Sequence, residues 1–494
     1  LHDALPIYQP LLMSSIVGLL GNFKGNDIVK MLKVSKFRGF DASGIFLDDI
    51  KLNIDLDKFN NDSNYSIGLG HNLLSIHDSE DKMSKTQPIA KDNLILVFDG
   101  VLYNFKTIKN FLNKVGIEDE INSDGEALLY LIDFYNKSNL VKAIKSAVHL
   151  IDGDYSFAIW DGKNLAITRD PLGVKPLFYS VTNDLCGFAS SKDSLKILGF
   201  EDIKTLKPQH ILYNWNDIAP AQTIHEKVLE GDVSKIDKLL KLSVIKRVEG
   251  LIEVGVIFSG GVDSSFLALL LSEIAKNTNL RITLYAVGIE GSKDIEAAKY
   301  AANQLNLPLK IKIVTEKIIR DNLASVVKAI GDDSLMKIGV GMTTYLATSM
   351  IKEDGIKVAI SGQGADELFG GYKRYLKSFS EGNLNLELRE DIANMYHVNL
   401  ERDDVCSMLN GVELRLPFLD KNLVELVLNI EDNKKIVSTD DNLRKSFLRK
   451  LAFEEGLDYK IAYRPKKAAQ YGTGIDKILR KKVLKDTDIA SFLD

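Results

Sequence analysis

The stretch Ser259-Gly260-Gly261-Val262-Asp263-Ser264-Ser265 constrains this chain more than any other part of it. An apolar run, EVGVIF, leads into it, and a second, FLALLLSEIA, leads out. That order predicts a strand over Val254–Phe258 whose carboxyl end turns directly into a helix from about Ser264. Glycines let such a turn pass close to a ligand, and the helix N-terminus adds a partial positive charge suited to an anion. Ser259, Ser264 and Ser265 can donate hydrogen bonds to phosphate oxygens, and Asp263 can hold a divalent cation against them. The lysine of a Walker loop is missing, which excludes an ordinary kinase or GTPase site. A serine-rich helix cap is the plain alternative. A chance SGGxDS in a chain of 494 residues has odds of about one in a thousand from average composition, and the strand–helix setting lowers them. The loop is read as a phosphate cradle.

The same rhythm continues beyond it. Ile282–Val287 reads as a strand followed by a helix over Ile295–Leu305, and Val358–Ile360 as a strand before another glycine-rich turn. Such alternation predicts a parallel sheet with helices on its faces and ligands at the carboxyl ends of the strands. The second turn, Ser361-Gly362-Gln363-Gly364-Ala365-Asp366, is also acidic. Asp263 and Asp366 could therefore supply carboxylates to one Mg²⁺, which would neutralise a leaving pyrophosphate. A glycine turn with an acidic helix cap explains the second loop equally well by itself.

The first half differs. From Ser15 to about Tyr213 the runs SIVGLL, YSIGLG, NLILVFDGVLYN, YSFAIW, NLAITRD and PLFYS read as short strands, with helical spacing at Glu126–Tyr135 and Leu140–Leu150. This pattern predicts a layered α+β domain with antiparallel sheets. Asn214–Gly231 lacks periodicity and reads as a linker, after which Ser234–Val248 carries helical spacing. Leu1–Leu12 is set apart as a non-native extension, with Met13 as the natural first residue. The net charge of −5 argues against a generally nucleic-acid-binding surface. Two cysteines, Cys186 and Cys406, cannot build a disulfide framework, so a cytoplasmic setting is expected. No apolar run approaches the roughly 20 residues of a membrane span.

Together the two glycine loops resemble the synthetase domain of the glutamine-dependent asparagine synthetase family. Glu413-Leu414-Arg415-Leu416-Pro417-Phe418-Leu419-Asp420 is similar to the family's ExRxPFLD, and Arg464-Pro465-Lys466-Lys467 to its RxK. The resemblance runs from Met13 to about Ile478. It implies an α/β ATP-pyrophosphatase domain that adenylates a carboxylate, releases pyrophosphate and lets a nitrogen nucleophile displace AMP. It further implies that the Ser259–Ser265 loop binds pyrophosphate and that Phe258, Val287, Gly288, Ser361 and Gly362 surround the adenosine and AMP moiety. Asp263 and Asp366 would take Mg²⁺, and Lys466 would steady charge on the acyl-adenylate, as a mobile ammonium suits. Relatives often carry Glu, assigned as a base, where this chain has Gln363. A neutral amide cannot take a proton near pH 7, so Gln363 is left to orient substrate or nucleophile.

The N-terminal half resembles the class II glutamine amidotransferase domain, an N-terminal-nucleophile sandwich. Gly70-His71-Asn72, Gln87-Pro88, Tyr103-Asn104 and Arg169-Asp170-Pro171-Leu172-Gly173 match its landmarks. Its reactive positions depart. The family's nucleophilic Cys falls on Ser14, and the arginine of its GHNRLSI falls on Leu73, which removes a bidentate carboxylate partner. Its NGEIYN appears as Asp99-Gly100-Val101-Leu102-Tyr103-Asn104, with an acid where an oxyanion-stabilising amide belongs. Asp124 matches a retained substrate-binding aspartate. Changes concentrated in one pocket imply a degenerate glutaminase, since catalytic groups depend on one another.

The expectation is thus a degenerate amidotransferase-like domain over residues 13–213, a linker over 214–233 and an ATP-pyrophosphatase domain over 234–494. The chain would use ATP and Mg²⁺ to convert aspartate and ammonia, with glutamine disfavoured as donor and a homodimer as the expected assembly. Two competing readings are a β-lactam-synthetase-like ligase that closes an internal amine, disfavoured by Gln363, and a silent binding homologue, disfavoured by Asp263, Asp366 and Lys466. Lys477–Lys485 reads as a solvated helix face, His397 as structural and Cys406 as a buried small hydrophobe.

Overall fold

Strands buried on both faces dominate the first half, and their alternation separates its layers. A computed structural model describes residues 12–76, 86–218, 233–465, 472–485 and 487–493. It divides into two units, Leu1–Thr223 and Ile224–Asp494.

In the first unit a seven-stranded and a six-stranded sheet, each antiparallel, form the centre. Along the strand Leu12–Lys24, Ile16 points into a core shared with Val97, Ala158 and Ile167 of the other sheet. Its neighbour Val17 points the other way, onto Ile28 and Leu32 of the helix Gly25–Val34. The strand Leu94–Leu102 repeats this on the second sheet, with Val97 facing the first sheet and Leu96 and Phe98 facing the helices Phe105–Lys114, Asp124–Tyr135 and Leu140–Leu150. The result is helix, sheet, sheet, helices: the expected α+β sandwich. The strand reaches back to Leu12, which pairs with Ser75.

One expectation fails in part. Asn216–Ile218, read as the start of a linker, is a strand paired with Ile211–Tyr213. The turn between them places Asn214 and Trp215 at φ 45° and 66°. This two-residue left-handed turn matches strand twist, but its usual Asn-Gly signature is hidden because tryptophan stands in the second place. Residues 219–232, the rest of that stretch, lie outside the described residues.

The second unit is built on a five-stranded parallel sheet. Its spatial order is Leu309–Ile313, Arg281–Gly288, Glu253–Ile257, Val358–Ile360 and Glu413–Arg415. The chain builds outward from Glu253–Ile257 in one direction, then returns to add Val358–Ile360 on the other side. A topological switch point therefore lies between these two strands, where open α/β sheets bind ligands. The outer strands escape the sequence reading. Leu309–Ile313 alternates with lysines as an edge strand does, and Glu413–Arg415 has only three residues.

That last strand explains ELRLPFLD as scaffold. Arg415 Nε donates to Glu413 Oε1 at 3.0 Å, and its Nη1 donates to the Arg247 carbonyl on the helix Ser234–Val248. Asp420 caps the helix Lys421–Leu428 through the Asn422 and Leu423 amides and pairs with Lys246 and Arg247. Burial works against the Asp420 carboxylate, but the two cations outweigh it and hold its pKa below the usual range. Cys406 is fully buried, and His397 packs edge-on against Tyr396 at 4.5 Å. In the basic stretch, the helix Ile475–Lys481 buries Ile478 and Leu479 and continues into a 3₁₀ turn at Val483–Lys485. No helix among the described residues is long and apolar enough to cross a membrane.

Candidate active site

Val256 pairs with Ile360 at the switch point, so the loops after them leave the sheet side by side. Both loops need their glycines. Gly260 has φ +66°, and a Cβ there would lie 2.4 Å from the Ala297 carbonyl carbon. At Gly362 a Cβ would come within 3.1 Å of Asp263. Ser264 Oγ accepts from the Ser259 amide at 3.3 Å, and Ser259 Oγ accepts from the Gly261 amide at 3.3 Å, fixing the turn from within.

A cavity of about 690 Å³ opens over these loops. Phe258, Ser259, Gly261, Asp263 and Ser264 line it from the first loop, and Ser361, Gly362, Gln363 and Asp366 from the second. Val287 adds an apolar wall from the neighbouring strand. Gly260 and Gly288 shape the backbone behind it: at Gly288 a Cβ would meet Ser292 Oγ at 2.7 Å. Ser265 does not join them. Its Oγ is buried without a partner among the described residues, because consecutive helical positions point about 100° apart. The expected phosphate contact from its hydroxyl is corrected accordingly.

The centre of the site is a residue with no motif of its own. Lys445 Nζ lies 2.6 Å from an Asp263 oxygen and 2.6 Å from Asp366 Oδ1, drawing both loops onto one ammonium. Burial pushes the Lys445 pKa down, and Asp263 pulls it back up. Arg444 and Lys445 both stand at positive φ, 56° and 53°. Two strained residues in succession persist only when their surroundings hold them. Arg444 Nε donates to the Gly371 carbonyl at 2.9 Å, and Arg449 donates to the carbonyls of Leu443, Arg444, Ala462 and Arg464. Gly371 is equally constrained: a Cβ there would lie 1.8 Å from Asp366 Oδ1.

A further part of the wall is polar. Glu367 Oε1 accepts from Tyr372 Oη at 2.7 Å and from Asn399 Nδ2 at 2.8 Å. Burial raises the Glu367 carboxyl and the Tyr372 hydroxyl counters it. Asn399 belongs to a π-helical turn, Tyr396–Leu400, of a kind that often marks functional sites. Among the described residues no group of three or more His, Cys, Asp or Glu side chains could hold a metal by itself. Asp263 and Asp366 could offer two carboxylates, the usual share a protein gives Mg²⁺ when phosphate oxygens supply other ligands, and in this structure both face the Lys445 ammonium. Lys466 lies outside the described residues, two positions beyond Arg464.

The first unit holds a separate polar centre. Ser14 Oγ and His71 Nε2 are hydrogen-bonded at 2.6 Å, with Ser14 1% and His71 0% exposed. Burial pushes the His71 pKa down to about 3. Arg38 pairs with Asp99 at 3.5 Å, and Ser190 Oγ donates to the same carboxylate at 3.4 Å. Leu73 and Val101, two positions beyond His71 and Asp99, are buried, and Asp124 Oδ2 accepts from the Leu102 amide at 3.0 Å.

Residues 235–387 and 380–488 match the asparagine synthase family, and residues 13–238 match the glutamine amidotransferase domain family. A protein of Methanocaldococcus jannaschii named "putative asparagine synthetase [glutamine-hydrolyzing] 1" is 38% identical, covering 95% of this chain and 95% of that protein. The asparagine synthetase [glutamine-hydrolyzing] of Sandersonia aurantiaca is 27% identical, covering 85% of this chain and 82% of that protein. Among solved structures, the allosteric regulatory enzyme of purine biosynthesis aligns at TM-score 0.39 and 17% identity. It covers 60% of this chain and 80% of that one, too loosely to carry an argument.

Proposed function

The chain belongs to the asparagine synthase family of carbon–nitrogen ligases, and from that premise we propose that it adenylates aspartate with ATP, releases pyrophosphate and amidates the adenylate with free ammonia. The observation that carries this reading is the convergence of Asp263, Asp366 and Lys445 on one cavity at the switch point. Phe258 and Val287 offer the apolar wall an adenine ring requires. The Ser259–Ser264 turn presents hydroxyls and a helix N-terminus to the departing pyrophosphate. Lys445 supplies a preorganised positive charge where negative charge develops, which is electrostatic catalysis without reorganisation. Asp263 and Asp366 would hold Mg²⁺, which when bound neutralises phosphate charge. Lys466 would meet the acyl-adenylate, and Gln363 would orient the incoming nitrogen by its amide.

Ammonia as donor is favoured by the first unit's polar centre. Asp99 places a carboxylate where a developing oxyanion needs a donor, and Leu73 offers no grip on an α-carboxylate. The test is pyrophosphate release from ATP·Mg²⁺ with aspartate, comparing ammonium, glutamine and no donor, with asparagine quantified. Asparagine from ammonium and not from glutamine is expected. Asparagine from glutamine would overturn the ammonia assignment, and no turnover with aspartate would overturn the substrate.

A further inference from the structure

Arg464 forks across three acceptors. Its Nη1 donates to the Ser259 carbonyl at 3.1 Å, and its Nη2 donates to the Lys293 carbonyl at 3.1 Å and to Asp294 Oδ1 at 2.7 Å. The guanidinium thus ties the phosphate loop to the first turn of the helix Lys293–Leu305. Asp294 is the fixed point of this arrangement, its side chain only 8% exposed. Its second oxygen lies against Gly472, where a Cβ would come within 1.7 Å. The next residue, Thr473, accepts from the Ile289 amide at 2.8 Å. Asp294, Arg464, Pro465 and Thr473 all face the cavity.

We propose that Asp294 is a positioning residue for the nucleotide, acting through Arg464 on the phosphate loop. A trans peptide is planar, so holding the Ser259 carbonyl also fixes the direction of the Gly260 N–H. The guanidinium can hold that carbonyl only while its own plane is set, and the short bond to Asp294 sets it. Arg464 is anchored from behind as well, since Arg449 Nη1 donates to its carbonyl at 2.9 Å. A carboxylate in a helix's first turn also interacts favourably with the helix dipole. That role would stabilise the helix without favouring any nucleotide geometry, so the two roles predict different measurements.

The inference rests on ATP as substrate of this cavity, and its test separates the two. ATP·Mg²⁺ affinity is measured by titration calorimetry, and turnover by pyrophosphate release, for the full chain and for Asp294→Ala, Asp294→Asn, Arg464→Ala and Arg464→Lys. Asp294→Ala is expected to weaken ATP·Mg²⁺ binding about tenfold and to lower kcat by roughly 10²-fold, as a 1 Å misplacement can. The KM for aspartate should stay within error, while loss of the buried ion pair lowers the melting temperature, so the ATP·Mg²⁺ affinity is the reading that separates the two roles. Arg464→Lys should recover part of the loss of Arg464→Ala, and the Asp294→Ala, Arg464→Ala double variant should be no worse than the worse single. Unchanged affinity with a lowered melting temperature would overturn the inference in favour of a helix-end role. Tight ATP binding without aspartate turnover in the parent would overturn the proposed reaction, while the affinities of the variants still decide the inference. Should Asp294→Ala fail to fold, Asp294→Asn and Arg464→Lys carry the same comparison.

Discussion

Two buried ionic centres, one in each unit, use similar side chains to opposite ends. In the first unit Arg38 and Asp99, 1% and 0% exposed, face each other, and Ser14 and His71 are closed on one another. In the second unit Lys445 is as deeply buried, at 1%, but its partners Asp263 and Asp366 keep 23% and 18% of their side chains open to the cavity. A charge whose partner is equally buried has no open face left for a ligand. A charge whose partners face a cavity retains capacity to bind. The Arg38–Asp99 pair is of the first kind, and the switch-point loops with Lys445 are of the second.

The comparison can be broken most directly at Arg38. Replacing Arg38 by Leu leaves the Asp99 carboxylate buried beside a lost partner, which should cost about 3–5 kcal/mol in urea unfolding. Removing both members together should cost less than the sum. A cost near zero would show that the first centre is not held by this pair. In the second unit, Lys445→Ala should lower pyrophosphate release roughly 10²–10³-fold, the range for losing one preorganised charge. Ser14→Ala should change ammonium-dependent turnover by less than about twofold. Comparable losses in the two variants would erase the distinction.

Lys435 sharpens it by offering a buried cation of a third kind. Its Nζ has no partner among the described residues, and burial lowers its pKa to about 8. The folded value lies below the unfolded one, so the native state resists protonation and stability rises as pH climbs through 8 toward 10.5. Lys435→Met should therefore stabilise the chain by about 2 kcal/mol at pH 7 and by little near pH 10.5, read from thermal melts. The smallest effect concerns His71, whose pKa falls from 6.5 unfolded to about 3 folded. Its contribution is complete above pH 6.5 and is lost as pH falls toward 3, reaching about 1.4 kcal/mol at pH 5.5. His71→Asn should remove that part of the acid sensitivity. An identical acid limb in the variant would place the sensitivity elsewhere.

What could be read in advance divides by distance along the chain. The strand–turn–helix form of the Ser259–Ser265 loop was legible because its parts are consecutive and their geometry is local. The same holds for Gly362 and Asp366, and for the helices Leu140–Leu150 and Ser234–Val248, whose apolar spacing marks their ends. Lys445 was not legible. It sits in RKSFLRK, where neighbouring lysines and arginines carry the same signal, and it meets Asp263 across 182 residues. Ser265 was misread because composition cannot give helical phase, and Asn214–Trp215 because the hairpin uses tryptophan where glycine is usual.

The sequence by itself determined the layered halves, the parallel sheet and both glycine loops, since periodicity and glycine's freedom at positive φ act over a few residues. Only the tertiary structure decided which charges meet. It brought Lys445 between two loops, seated Arg464 on Asp294 and closed Arg38 on Asp99. The physical reason is that the energy of a buried charge depends on partners that chain folding, and not chain order, brings within about 3 Å.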